Sequence, residues 1–229
     1  MMSSVVDRRA GHHQVSRSRC VSSRLPRCLV CEPCMDSRAV RAIFDDATIR
    51  VYQAYPAEIA IPALRHGRFV APFKMERMTW IKPSFNWMMY RCGYATKPGQ
   101  DVVLGIDITR EGFEWALRNA ALSHFTPAAY DSPEVWRAAV DQTPVRIQWD
   151  PERDWRLNPI AGVRSLQVGL SADAVSRYVN RWIVGIADIN SVGRLAAQAA
   201  ASGAAPPALP CDDERSYPLA IRASGLLQP

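Results

Sequence analysis

The residue types best suited to chemistry crowd into Arg77–Gln100. At Arg77-Met78-Thr79-Trp80-Ile81-Lys82-Pro83-Ser84-Phe85 an extended segment runs directly into a helix started by proline, which is pre-set for the first helical position. The first N–H groups of such a helix lack intrahelical partners and lie at the positive end of its dipole. Arg77 and Lys82 add two full charges, and the Ser84 hydroxyl falls in the expected first turn. Together these features suit a phosphate or pyrophosphate group. The competing reading makes Trp80, Phe85 and Trp87 ordinary core and pairs Arg77 and Lys82 with carboxylates such as Glu76 or Asp107. On the remaining faces of the same helix, Tyr90, Arg91 and Tyr94 would form a stacking and phosphate platform for a nucleotide or a phosphorylated RNA end.

A second cluster, Gln148-Trp149-Asp150-Pro151-Glu152-Arg153, places an amide and two carboxylates at the end of a strand. A general base or a ribose-holding group would fit there. So would a plain charged turn with Asp150–Arg153 and Glu152–Arg156 pairs. Cys28, Cys31 and Cys34 form a C-x-x-C-x-x-C run with Cys20, His12 and His13 upstream, but no strand or glycine turn frames it as a zinc knuckle. After residue 34 the only histidines are His66 and His124, so no metal centre is expected.

These groups must be positioned by regular elements, and the hydrophobic pattern supplies them after Met35. Thr48–Tyr55 alternates as a strand, and Ala57–His66 has helical spacing, with Pro62 inside it and Gly67 as its stop. Met78–Ile81 is a short strand, followed by a helix whose Phe85, Met88, Met89 and Cys92 form one apolar stripe. Val102–Ile108 is apolar enough for a central strand. The pattern then predicts a helix over Arg110–Leu122, strands over Val145–Asp150 and Ser165–Leu170, and a helix over Ala172–Val184 anchored by Tyr178, Val179 and Trp182. Strands and helices interleave without a dinucleotide-binding or P-loop glycine pattern, so the expected fold is α+β: a mixed, split β-sheet with packed helices.

Composition bounds the rest. With 229 residues, 48% of them hydrophobic, the chain can bury one substantial core, expected over residues 35–219 with a short tail at 220–229. Residues 1–34 hold six arginines against two acids and show no periodicity; they read as a disordered or spuriously translated extension, with the true start at Met35. The other 195 residues carry 22 basic against 20 acidic side chains, so the domain is nearly neutral and its overall charge argues little for nucleic-acid binding. Only Lys74, Lys82 and Lys97 are lysines. No apolar run reaches the roughly 18 residues of a membrane span, and the expectation is a cytoplasmic protein without a membrane partner.

Val51-Tyr52-Gln53-Ala54-Tyr55, the Arg77–Phe85 run, Gln148–Arg153 and Glu214-Arg215-Ser216-Tyr217-Pro218-Leu219 together resemble the domain-of-unknown-function family 4291 over about Val40–Leu219. The family's Arg-Ser pair after the tyrosine helix stands here as Arg91-Cys92, so no catalytic role rests on a serine at that point. The order of elements also resembles the ADP-ribosyltransferase-like fold, in which a split sheet holds NAD. That resemblance implies NAD as a substrate of transfer or glycohydrolysis. It points to Arg50, Tyr52 or Gln53 on the early strand, Ser84 in the middle, and Gln148, Glu152 or Gln167 late. Ser84, Gln148 and Glu152 are then the expected catalytic residues; Arg50, Tyr52, Gln53, Arg77, Trp80, Lys82, Tyr90 and Arg91 are the expected ligand contacts. The alternative function is a non-catalytic module for a nucleotide or RNA end, and neither reading specifies an oligomeric state.

Overall fold

The computed structural model describes residues 38–205 and 208–219, so the cysteine run, the upstream histidines and the tail 220–229 lie outside the described residues. Among the described residues no group of three or more His, Cys, Asp or Glu could hold a metal ion. No helix among them is long and apolar enough to cross a membrane.

Among the described residues, three sheets and six α-helices make an α+β architecture. Strand β1 (Arg41–Ala42) is followed by β2 (Thr48–Tyr55) and helix α1 (Ala57–His66). Next come β3 (Thr79–Ile81), α2 (Phe85–Cys92), β4 (Val102–Thr109) and α3 (Arg110–Arg118). Then β5 (Ala120–Leu122), α4 (Pro133–Gln142), β6 (Val145–Arg153), β7 (Pro159–Leu170) and α5 (Asp173–Arg177) follow. After a π-helical turn, Tyr178–Trp182, the chain continues through β8 (Ile183–Asp188), α6 (Asn190–Ser202) and β9 (Arg215–Ser216).

One sheet has the order β2-β4-β8 and is antiparallel; the other, β3-β7-β6-β5, is mixed because β5 runs parallel to β6. A small pair, β1 with β9, ties together distant parts of the chain. The two larger sheets touch through a bridge between Tyr52 and Lys82, where the Tyr52 N–H donates to the Lys82 carbonyl at 2.7 Å. Strand β4 is nearly all apolar because both its faces are covered. Leu104, Ile106 and Ile108 enter the larger core, while Val103 packs with Tyr52, Phe85, Met88 and Met89 under α2 and α6.

The strands over residues 48–55, 79–81 and 102–109 and the apolar stripe of α2 follow the sequence pattern. Three elements differ. Pro83 stands outside α2 and Ser84 is its N-cap, so the helix starts at Phe85. The expected helix over Arg110–Leu122 ends at Arg118, because Asn119 turns back onto the Trp115 carbonyl through both its backbone and its side-chain amide. Ala120–Leu122 is then pulled into the sheet as β5, a case of tertiary pairing overriding helical propensity. The expected helix over Ala172–Val184 stops at Trp182, and its last turn widens to place Tyr178, Val179 and Trp182 in the core. Gly112 permits this: a Cβ there would lie 2.3 Å from Trp182 Cγ.

Candidate anion-binding site

Helix α2 shows why the phosphate site expected at its N-terminus does not form. Its hydroxyl cap, Ser84 Oγ, accepts from the Trp87 N–H at 3.1 Å and donates to Glu152 Oε1 at 2.9 Å. The Phe85 N–H donates to Glu214 Oε1 at 2.7 Å. A protein carboxylate therefore occupies the position where a ligand anion was expected, and Ser84, Glu152 and Glu214 are all buried. Burial pushes the Glu214 carboxyl up to about 8, against the Phe85 hydrogen bond and with the help of nearby Glu152. Burial also raises Glu152.

The cations nevertheless converge, away from these carboxylates. A cavity of about 580 Å³ opens between the end of β2, the start of α1, the segment before β3, and α2. Lys74, Arg77, Lys82 and Arg91 line it, against a single lining carboxylate, Glu58. The first turn of α1, which no side chain caps, borders the same space. Tyr55, Phe73 and Trp80 supply aromatic walls.

The back wall is a hydrogen-bonded network. Gln53 Nε2 donates to Thr79 Oγ1 at 2.6 Å, Thr79 Oγ1 and the Tyr55 hydroxyl are 2.6 Å apart, and the Tyr178 hydroxyl donates to Gln53 Oε1 at 2.7 Å. Burial pushes the Tyr55 phenol up to about 12, so it stays neutral. A wall satisfied in this way holds its side chains in place without drawing on the cations.

Lys82 is the unusual member. Its side chain is only 6% exposed, yet its Nζ donates to the Trp80 carbonyl at 3.2 Å and lies 5.7 Å from the Trp87 ring. No carboxylate among the described residues comes within ion-pair distance of it. Burial, then the positive field of Arg91, lower its pKa to about 7. Asp107, one of the partners the competing reading offered, instead holds Arg50 in a two-point pair at 2.6 and 2.7 Å.

Residues 39–217 match the family described as domain of unknown function (DUF4291). The chain belongs to this family. Among curated proteins, none matches it. Every cavity-lining residue of this DUF4291 domain, and both carboxylates at α2, lie inside the matched segment.

Of the residues singled out from sequence, Gln53, Arg77, Trp80, Lys82 and Arg91 come together around the cavity of the DUF4291 domain. The others sit elsewhere. Arg50 is held by Asp107, and Tyr52 is buried edge-on against Phe85. Tyr90 lies under the Arg153 guanidinium, 3.6 Å from its ring centroid, so it stacks on protein. Ser84 and Glu152 bond each other beneath α2. Gln148 donates to Asp150 at 2.9 Å, and Gln167 donates to the other oxygen of that carboxylate. The charged-turn alternative also fails: Glu152 is buried beside Ser84, and Arg156 lies over the Trp155 ring. The sequence pattern did not mark Lys74, Tyr55, Phe73 and Thr79 as cavity residues or Glu214 as the helix cap. One signal pointed to Lys74: in an arginine-rich chain the only three lysines fall between residues 74 and 97.

Proposed function

We propose that this domain binds a phosphate-bearing ligand of nucleotide class in the cavity beside β3. The carrying observation is the charge of the lining, four cations against one carboxylate, with no ion pair among the described residues engaging Arg77 or Lys82. Pockets of about 300–1,000 Å³ suit ligands of that size. The exposed guanidiniums of Arg77 and Arg91 can bind phosphate oxygens in two-point fashion, and Trp80 offers a face for a planar ring. NAD, ADP-ribose, ADP and a 5′-phosphorylated RNA end all belong to this class.

Binding is better supported than NAD-consuming transfer. Ser84, Gln148 and Glu152 are not among the cavity-lining residues, so the trio expected to catalyse would not reach a ligand held there. The test is thermal denaturation with each of those ligands and with inorganic phosphate, since a ligand that binds only the native state raises its melting temperature. Arg77→Ala should keep the fold and weaken binding by about tenfold to a hundredfold, the loss of one charge-assisted contact. Absence of any shift with all five ligands, or unchanged affinity in Arg77→Ala at low salt, would remove the reading.

A further inference from the structure

We propose that Lys82 is a nucleophile whose amine condenses with the carbonyl group of a phosphate-bearing aldehyde held in the cavity, forming an imine. This rests on the cavity being an anion site, and adds a covalent step to it.

Three observations place a reactive amine there. Lys82 follows directly on β3, and its backbone is clamped to β2 by the Tyr52 N–H. It is buried and is one of the residues that line the cavity. Its Nζ meets one backbone carbonyl, that of Trp80, beside the Trp87 ring and the repelling charge of Arg91; Asp150 and Cys92 pull the other way, and no carboxylate among the described residues lies within ion-pair distance. A desolvated lysine beside another cation is the standard means of keeping an amine unprotonated in water. With its pKa lowered to about 7, about half of Lys82 carries a free lone pair at neutral pH, against about one in three thousand for a lysine at the reference value.

The step balances without an oxidant or reductant. The nitrogen lone pair attacks the carbonyl carbon, and the C=O π pair moves to oxygen. Both amine hydrogens leave with that oxygen as water, and a C=N bond takes the place of C=O. When protonated, the imine is again a cation on the side of Asp150, whose field favours positive charge at this nitrogen. Lys74, Arg77 and Arg91 would hold the phosphate while the carbonyl meets Lys82. Lys74 is exposed, and Lys97 is exposed with its Nζ donating to the Tyr90 and Arg91 carbonyls, so neither shares the desolvation of Lys82.

The full chain incubated with pyridoxal 5′-phosphate, reduced with borohydride and mapped by peptide mass spectrometry tests this directly. The expected result is one saturable adduct at Lys82, with labelling half-maximal near pH 7. It should be suppressed by ADP and at least tenfold weaker with pyridoxal, which lacks the phosphate. Lys82→Arg should lose the adduct while keeping the circular dichroism spectrum, and Lys97→Arg, outside the cavity lining, should retain it. Labelling spread over Lys74, Lys97 and the α-amine, or no Lys82 adduct while ADP still raises the melting temperature, overturns the imine and leaves the anion site standing. A Lys82 adduct formed equally with pyridoxal and unaffected by ADP overturns the anion site and, with it, the phosphate-bearing substrate proposed here.

Discussion

Two buried side chains, Lys82 and Glu214, resist their usual charge for the same reason and with opposite consequences for stability. Lys82 has a pKa of about 7 in the fold against 10.5 for the reference side chain. Between those values the unfolded chain holds more protons, so this contribution is complete above 10.5 and is lost as pH falls through about 7. Glu214 stands at about 8 against 4.5, so its contribution is complete below 4.5 and is lost as pH rises through about 8. Each limb is on the order of a few kcal/mol, because every tenfold change in proton affinity between the folded and unfolded chain is worth about 1.4 kcal/mol. Urea denaturation from pH 5 to 10 should show a falling acid limb that Glu214→Gln flattens and a rising alkaline limb that Lys82→Met flattens. A rising limb that persists in Lys82→Met would assign it to another group.

Among the elements, β3 contributes Thr79 and Trp80 to the cavity, and its position depends on its neighbour β7. Trp80 lies opposite Gly169, where a Cβ would come within 2.9–3.0 Å of three atoms of the indole. Gly169→Ala must therefore push Trp80 toward the cavity or shift the strand. The expected outcome is destabilisation of about 1–3 kcal/mol, the usual penalty of overpacking, together with weaker nucleotide binding. Gly185→Ala on β8 meets no heavy atom within 4 Å and serves as the control, with stability unchanged or raised. Chemical denaturation and calorimetric titration of both variants check this; equal effects would mean that Trp80 has room to move. The end of α2 is specified as tightly. Gly93, Tyr94 and Ala95 all have positive φ, an uncommon conformation for the last two, and this tight turn leads the chain back so that Gly99 and Gln100 line the cavity.

For the whole molecule, the family match over residues 39–217 and the pairing of β1 with β9 predict the boundary of the folding unit. Val40 and Ala42 are buried, and the Tyr217 N–H donates to the Val40 carbonyl at 2.8 Å. A chain beginning at Met35 should match the full chain in melting temperature and ligand binding, whereas one beginning at Phe44 should melt several degrees lower, because β9 loses β1 and the Tyr217 N–H loses the Val40 carbonyl. Differential scanning calorimetry of the two shortened chains decides it, and a large loss on removing residues 1–34 alone would contradict the boundary.

The elements legible from the sequence were those with a local cause. Alternation marked residues 48–55 and 145–150, a helical stripe marked Phe85, Met88, Met89 and Cys92, and Gly67, with φ +65, ends α1 where expected. The cations of the site were legible for the same reason, since Arg77, Lys82 and Arg91 lie close in the chain, just before β3, just after it and on α2. What those cations face was not legible. Whether the first N–H of α2 meets a ligand or a carboxylate depends on Glu214, 129 residues away, and no local pattern carries that information. Likewise β5 and the first two residues of β8 are strand because β6 and β4 offer partners, against the helical spacing expected of them. Periodicity acts over a few residues, so the sequence alone marked the segments with a strong local pattern and which of their side chains share a face. Burial, capping and the lowered pKa of Lys82 arise from groups brought together only on folding, and the tertiary structure alone decided which cations share one cavity.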